Sequence, residues 1–218
     1  MGISTYISLR KYNFTYSHAT LRKIVKRTVV IFCIGLFLNL LAKSVFTHHL
    51  NFEELRYLGV MQRLAIGYGV TSLVAITVKH KYFPAIILVT LAVYFLLLAM
   101  GDGFNLSATN IVARFDVWAL GTSHMYHDGG MAFDPEGLLS TLPAVCHVMV
   151  GFYCGKLLFS AKDNDEKIQR LFLVGTILTF AGFLLSYGCP INKKVWSPTF
   201  VTVSYTHLRA HETPEHLV

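Results

Sequence analysis

YFPAIILVTLAVYFLLLAM, Tyr82–Met100, carries no charged side chain along its whole length. A helix needs about 20 mostly apolar residues to cross the hydrocarbon core of a bilayer, and this run supplies them without interruption. Similar runs occupy Thr28–Phe46, Leu58–Val78, Leu138–Phe159 and Leu171–Tyr187, and a further one begins near Thr199. Hydrophobic residues make up 54% of the chain and charged residues 14%. The apolar residues are grouped in long runs, not in the alternating or heptad patterns of a soluble core. The expected fold is all-α: a polytopic transmembrane helical bundle of five full spans, with partial ones at each end, forming a single domain over residues 1–202.

The formal net charge of +7 would suggest nucleic acid in a soluble protein, but its placement says otherwise. Arg10, Lys11, Arg22, Lys23, Lys26 and Arg27 precede the first full span, Lys79 and Lys81 follow the second, and Lys156, Lys162, Lys167 and Arg170 follow the fourth. The intervening loops carry Glu53, Glu54, Asp102, Asp116, Asp128, Asp134 and Glu136, against Lys43, Arg56, Arg114, Lys193 and Lys194. Cytoplasmic loops are enriched in Lys and Arg, so the segment before the first span is expected in the cytoplasm. Without a basic stripe interleaved with aromatics, no nucleic-acid partner is expected. The four cysteines, Cys33, Cys146, Cys154 and Cys189, show neither a CxxC pair nor metal-ligand spacing and read as ordinary helix residues. The inner stretch Ser160–Arg170, mixed in charge sign, reads as a solvated connector.

Both ends are unusual. Met1–Leu9, MGISTYISL, is apolar, too short to span, and closed by Arg10–Lys11; it is expected to be the cytoplasmic end of a helix that begins upstream. The first residues lack the pattern of a signal peptide. At the other end, VSYTHLRAHETPEHLV (Val203–Val218) has no periodicity and resembles, over Val203–Glu212, the translation of a sequencing-library adapter. A genuine polar tail is the alternative. The stretch is set aside from fold reasoning, and His207, His211 and His216 carry no functional weight.

Three polar inserts lie at the mouths of the spans, all on the side expected to be extracytoplasmic: RYLGVMQR at Arg56–Arg63, FDPEGLLSTLPA at Phe133–Ala144, and PINKKVW at Pro190–Trp196. Charge at the rim of a membrane bundle marks a site unless it snorkels to water. Gln62 and Arg63 lie about one turn inside the second span, where a guanidinium could hold a carboxylate or phosphate bidentately. The competing reading has Arg63 snorkelling and Gln62 bonding a neighbouring helix. Gly67 and Gly69 allow close helix approach. Asp134 and Glu136 flank Pro135 before the fourth span, a pattern that a helix start rewards on its own; two carboxylates at one rim could also act as a base or grip sugar hydroxyls. His124, His127 and Asp128 form a loose group in SHMYHDGG, read as loop residues or a general base rather than a metal site, for want of a third ligand. His48 and His49 lie in the first outer loop, and His147 inside the fourth span suits a helix-packing hydrogen bond. Asn192, Lys193 and Lys194 sit where cations are sparse, either as snorkelling residues beside an interfacial Trp196 or facing a ligand.

Together GLFLNLL (Gly35–Leu41), RYLGVMQRLAIGY (Arg56–Tyr68), FDPEGLLSTLPA with Gly151 and Gly155, and INKKVWSPTFV (Ile191–Val201) resemble the heparan-α-glucosaminide N-acetyltransferase family and its bacterial relatives. The resemblance runs in family order over nearly all of residues 1–202. It implies an integral membrane acyltransferase that moves an acetyl group from cytoplasmic acetyl-CoA, a co-substrate, to an amino sugar or glycan on the extracytoplasmic side. It implies no bound metal or prosthetic group. The family's catalytic histidine lies upstream of the MGIST-like stretch, so none of His48, His49, His124 or His127 takes its role by correspondence, and the chain alone is expected to be inactive. Substrate contacts are expected at Gln62, Arg63, His124, Asp134, Glu136, Asn192 and Lys193. The expected setting is a bacterial inner membrane, with the lipid bilayer, acetyl-CoA and a glycan acceptor as partners and homo-oligomerisation left open. The rival reading is a transporter or flippase for a glycan or lipid-linked sugar, disfavoured because no paired, Gly/Pro-broken spans recur in two halves.

Overall fold

A computed structural model of the chain describes residues 1–47, 55–105, 107, 109–128 and 130–204. The readings made for His48, His49, Glu53, Glu54 and the tail beyond residue 204 lie outside these described residues. The helices are α1 (Gly2–Arg10), α2 (His18–Thr47), α3 (Val60–Thr77), α4 (Phe83–Met100), α5 (Ile111–Leu120), α6 (Thr141–Ser160), α7 (Asn164–Leu185) and α8 (Pro198–Val203). The strands His127–Asp128 and Met131–Ala132 pair antiparallel as a two-residue ladder. Among the described residues five helices (α2, α3, α4, α6 and α7) are long and apolar enough to cross a membrane. This is the architecture of a multi-pass membrane protein, all-α as expected.

Helix boundaries depart from the apolar runs for local reasons. α2 begins at His18, ten residues before the run, because the intervening ATLRKIVKR holds no helix breaker and Leu, Lys and Arg are strong helix formers. At 1.5 Å per residue, its 30 residues reach about 45 Å, which carries the basic turns beyond an apolar core of about 30 Å. α7 likewise takes in most of the stretch expected to be a connector. The Asp163 carboxylate accepts from the Glu166 N–H at 2.7 Å, Glu166 accepts in turn from the Lys162 N–H at 2.6 Å, and Arg170 pairs with Glu166 at 2.6 Å. These reciprocal caps satisfy first-turn donors that a connector would have left to water. α6 instead starts later than Leu138, because Phe133–Ser140 is committed to a folded turn.

α5 lies outside all the apolar runs. Asn110 caps it, its side-chain oxygen accepting from the Val112 N–H at 2.8 Å and the Ala113 N–H at 3.4 Å, and the face carrying Val112, Ala113 and Asp116 is buried.

α3 lies between α2 and α6, and small residues let it do so. A Cβ on Gly69 would meet Thr28 Oγ1 of α2 at 2.8 Å, and one on Gly67 would meet Val148 of α6 at 3.1 Å. α1 seats on α6 in the same way: a Cβ on Gly155 would lie 2.9 Å from Tyr6 Cβ, and one on Gly151 3.2 Å from Gly2 Cα. Without a hydrophobic drive between helices in lipid, such close backbone approach is what holds them. One apolar core, around Tyr6, Tyr68, Phe83, Met149 and Phe152, fills the end where α3 and α6 finish. A second, around Tyr94, Leu98, Val112, Phe133 and Val195, lies beneath the opposite end, where α3 and α6 begin. The outer faces of α2, α4 and α7 leave Phe37, Leu88, Leu96, Phe180 and Leu184 exposed, as lipid-facing helices require.

Candidate functional site

The three polar inserts converge at the end where α3 and α6 begin. Arg56, just before α3, reaches across to the turn before α6. Its Nε donates to Asp134 Oδ2 at 2.9 Å and its Nη2 to Asp134 Oδ1 at 2.5 Å, while Nη2 also donates to Glu136 Oε2. The guanidinium carbon stands 5.3 Å from the Tyr126 ring centroid. Burial works against the Arg56 charge, but the bonds to Asp134 and Glu136 outweigh it and hold the group more firmly protonated than an ordinary arginine.

The two carboxylates have different environments. Asp134 is 1% exposed and saturated: beyond Arg56 it accepts from the Tyr126 N–H at 3.2 Å and the Glu136 N–H at 2.9 Å. The last of these closes an Asx turn. Neither acid caps α6, whose N-cap is Ser140, so the helix-start explanation for this acidic pair does not hold. The Glu136 side chain keeps 23% of its surface and borders two spaces. One is a rim cavity of about 330 Å³ lined by Arg56, Tyr126, Pro135, Glu136 and Lys194. The other, about 430 Å³, descends between α1, α3 and α6, with Val60, Arg63, Leu64, Ala144, His147, Val148 and Trp196 in its wall.

Arg63 does not snorkel. It is 7% exposed, and its Nη2 donates to the Pro135 carbonyl at 2.5 Å and to Ser140 Oγ. Ser140 Oγ in turn donates to the Pro135 carbonyl at 2.9 Å. The Arg63 guanidinium carbon lies 4.7 Å from the Trp196 ring centroid, which joins the first and third inserts by a cation–π contact.

Other expected site residues fall elsewhere. Gln62, one residue from Arg63 and so about 100° around the helix, faces α2; a Cβ on Gly35 would meet its amide at 2.9 Å. Its two amide atoms are buried without a hydrogen-bond partner among the described residues. His124 Nδ1 bonds the Leu55 carbonyl at 2.9 Å and its ring stacks on Tyr57 at 4.0 Å, pinning the loop between α5 and α6 to the segment before α3. Asn192 is a turn former: its side chain accepts from the Lys194 N–H at 2.9 Å, and its carbonyl from the Ser197 N–H at 3.0 Å. Lys193 is exposed and borders neither cavity, whereas Lys194 lines the rim.

Comparison with known proteins bears on this arrangement. Heparan-alpha-glucosaminide N-acetyltransferase of Mus musculus is 25% identical over 241 aligned positions, taking in 84% of this chain and 36% of the mouse protein. The chain is a distant homologue of that enzyme. The Homo sapiens protein of the same name is 29% identical over 103 positions, covering 38% of this chain and 15% of the human protein. The chain thus spans about a third or less of the length of these curated relatives. No protein-family model matches it. The homology supports a membrane acetyltransferase family, in keeping with a polar, cavity-lined site at the end of an apolar bundle.

Three residues of the site were not singled out from sequence. Arg56 stands in the sequence only as a loop cation at the start of the first insert; its signal is its position among acids. Tyr94, in the middle of an apolar run, donates its hydroxyl to the Val195 carbonyl at 2.5 Å and ties α4 to the third insert. Asp116 is fully buried on the apolar face of α5, and its Oδ1 accepts from the Leu138 and Leu139 N–H groups at 2.9 and 3.2 Å. Burial pushes its carboxyl up to about 6, against those two bonds.

Proposed function

We propose that the chain is the membrane core of an acyltransferase that passes an acetyl group from cytoplasmic acetyl-CoA to an amino sugar or glycan on the extracytoplasmic side, in a bacterial inner membrane. The observation that carries this reading is the position of Glu136, which borders both the polar rim cavity and the largely apolar cavity that descends into the bundle. The rim cavity, with Arg56, Glu136 and Lys194 in its wall, suits a hydroxyl-rich, amine-bearing acceptor. The interior cavity suits an acyl thioester. It follows α6 from Ala144 to Gly151, about 10 Å along the axis at 1.5 Å per residue, room for the acyl end of a donor. Holding donor and acceptor on either side of one carboxylate supplies the proximity that dominates such bimolecular transfers.

Within this reading Asp134 is a positioning residue, since its lone pairs are occupied by Arg56 and two backbone N–H groups. Glu136 orients the acceptor nitrogen or hydroxyl, and Arg63 meets a polar part of the substrate in the interior cavity. His124 and Asn192 shape the rim, and Lys193 has no contact of its own with either cavity. The homology to an acetyltransferase favours transfer over transport. The test is acetyl transfer from radiolabelled acetyl-CoA to glucosamine in membranes carrying the longest natural protein that contains this chain. Glu136→Gln is expected to reduce it by 10²-fold or more and Lys193→Ala to leave it within twofold; equal rates for wild type and Glu136→Gln would remove the assignment.

A further inference from the structure

α5 has a buried and an exposed face. Val112, Ala113 and Asp116 belong to the first; Arg114 and Trp118, one turn apart, belong to the second, with Trp118 82% exposed. Between this outer face and the strand Met131–Ala132 runs a groove of about 440 Å³, walled by Ala113, Val117, Trp118, Met131 and Phe133, with Arg114 as its one cation among the described residues. The Arg114 side chain has neither a hydrogen bond nor an ion pair among the described residues.

The groove lies level with the end of a spanning helix. Tyr94 and Leu98, in the last two turns of α4, pack against Val112, Ala113 and Phe133, and the Ile111 N–H donates at 2.9 Å to the carbonyl of Gly101, the residue after α4. α5 is thereby held beside about the last 9 Å of a span at 1.5 Å per residue, where hydrocarbon gives way to headgroups and tryptophans collect. An apolar groove with a guanidinium at that depth complements an amphiphile that carries a hydrocarbon chain and a phosphate; a free sugar has no chain to fill it. The same hairpin joins the groove to the rim cavity. The Phe133 N–H donates to the Tyr126 carbonyl at 3.1 Å; Phe133 walls the groove, while Tyr126, with Pro135 and Glu136, walls the rim cavity. The Cα atoms of Phe133 and Glu136 can be at most about 11 Å apart along the chain, comparable with the length of one sugar and its phosphate.

We infer that the acceptor is lipid-linked: its hydrocarbon chain lies in the groove between α5 and the hairpin, Arg114 meets its phosphate, and its amino sugar enters the rim cavity beside Glu136. This rests on the acyltransferase reading above and narrows the acceptor from any glycan to one carried on a lipid phosphate. The chemistry is confined to the sugar. Its nitrogen bonds to the acetyl carbon, the C–S bond of the thioester breaks, the proton lost by nitrogen ends on the CoA sulfur, and the phosphate ester is untouched. The lipid anchor supplies binding energy remote from the reacting nitrogen and holds that nitrogen near Glu136 at a high effective concentration.

Farnesyl phosphate bearing a diazirine on its chain, photolysed in detergent with the longest natural protein that contains this chain, is expected to label peptides from α5 and from Met131–Phe133, and to label them less in Arg114→Gln and Trp118→Ala. Both side chains are exposed, so these substitutions leave the buried face of α5 intact. Label confined to other segments would overturn the proposal, as would label displaced by an excess of phosphatidylglycerol, which would make the groove an ordinary lipid contact. Acetyl transfer is then compared for farnesyl-phosphate-linked glucosamine and methyl glucosaminide. The wild type is expected to favour the first by about 10-fold or more in kcat/KM, and each variant to lose most of that preference. Equal use of the two acceptors by the wild type would overturn the lipid-linked acceptor and leave the acyltransferase reading intact. A labelled groove with transfer to neither acceptor would overturn the acyltransferase reading, and the lipid's role as acceptor with it.

Discussion

Asp134 and Glu136 lie two positions apart, share Arg56 as partner, and differ in what their remaining oxygens can do. Replacing Arg56 by alanine strands a fully buried Asp134 carboxylate. Losing one partner of a buried pair costs about 3–5 kcal/mol; because the Arg56 side chain keeps 29% of its surface, a loss of about 2–3 kcal/mol is expected. Thermal unfolding in detergent would read this as a lowered midpoint, with Glu136→Gln, which leaves Asp134 paired, close to wild type. The sequence told apart neither these two acids nor Gln62 from Arg63, since each pair sits in one insert. The sorting comes from geometry: a difference of 100° around α3 turns Gln62 toward α2, and an Asx turn occupies Asp134. Arg63 was legible as a buried charge, but its choice between snorkelling and bonding depended on Pro135 and Ser140, more than seventy residues away.

At the scale of elements, α5 and the turn before α6 act as one unit. Asp116 accepts the Leu138 and Leu139 N–H groups, and a Cβ on Gly137 would run into its carboxylate. Gly137→Ala is therefore expected to destabilise the protein, and Asp116→Ala to recover part of that loss. Their double-mutant cycle should give a coupling of about 1 kcal/mol or more, and strict additivity would contradict the contact.

The same carboxyl makes a pH prediction. The folded state raises its pKa from 3.8 to about 6, so between those values the folded protein holds more proton than the unfolded chain. The contribution of Asp116 to stability is thus complete below about pH 4 and is lost as pH rises through about 6. The thermal midpoint of the wild type relative to Asp116→Asn should fall across that window, and a flat difference would contradict the assignment. The five spans were legible from their apolar runs because bilayer thickness dictates length. α5 was not, because an amphipathic helix of ten residues between two spans carries only a short periodic signal, with an acid on its buried face.

Across the whole molecule, the site depends on helices packed through glycine. Gly155 and Gly175 test this as a pair: a Cβ on Gly155 would press on Tyr6 of α1, whereas one on Gly175 meets nothing within 4 Å. Gly155→Leu is expected to lower the thermal midpoint in detergent and Gly175→Leu to leave it nearly unchanged; equal effects would argue against α1 docking on α6 through this face. That docking also walls the interior cavity, to which Gly2 and Ile3 contribute. The central claim is that Glu136 stands between a donor in that cavity and an acceptor at the rim. The most direct measurement is transfer of labelled acetyl from acetyl-CoA to glucosamine in membranes carrying the longest natural protein that contains this chain, as wild type or with Glu136→Gln. The account predicts robust transfer in the first and a loss of 10²-fold or more in the second; unchanged transfer in the variant would contradict it.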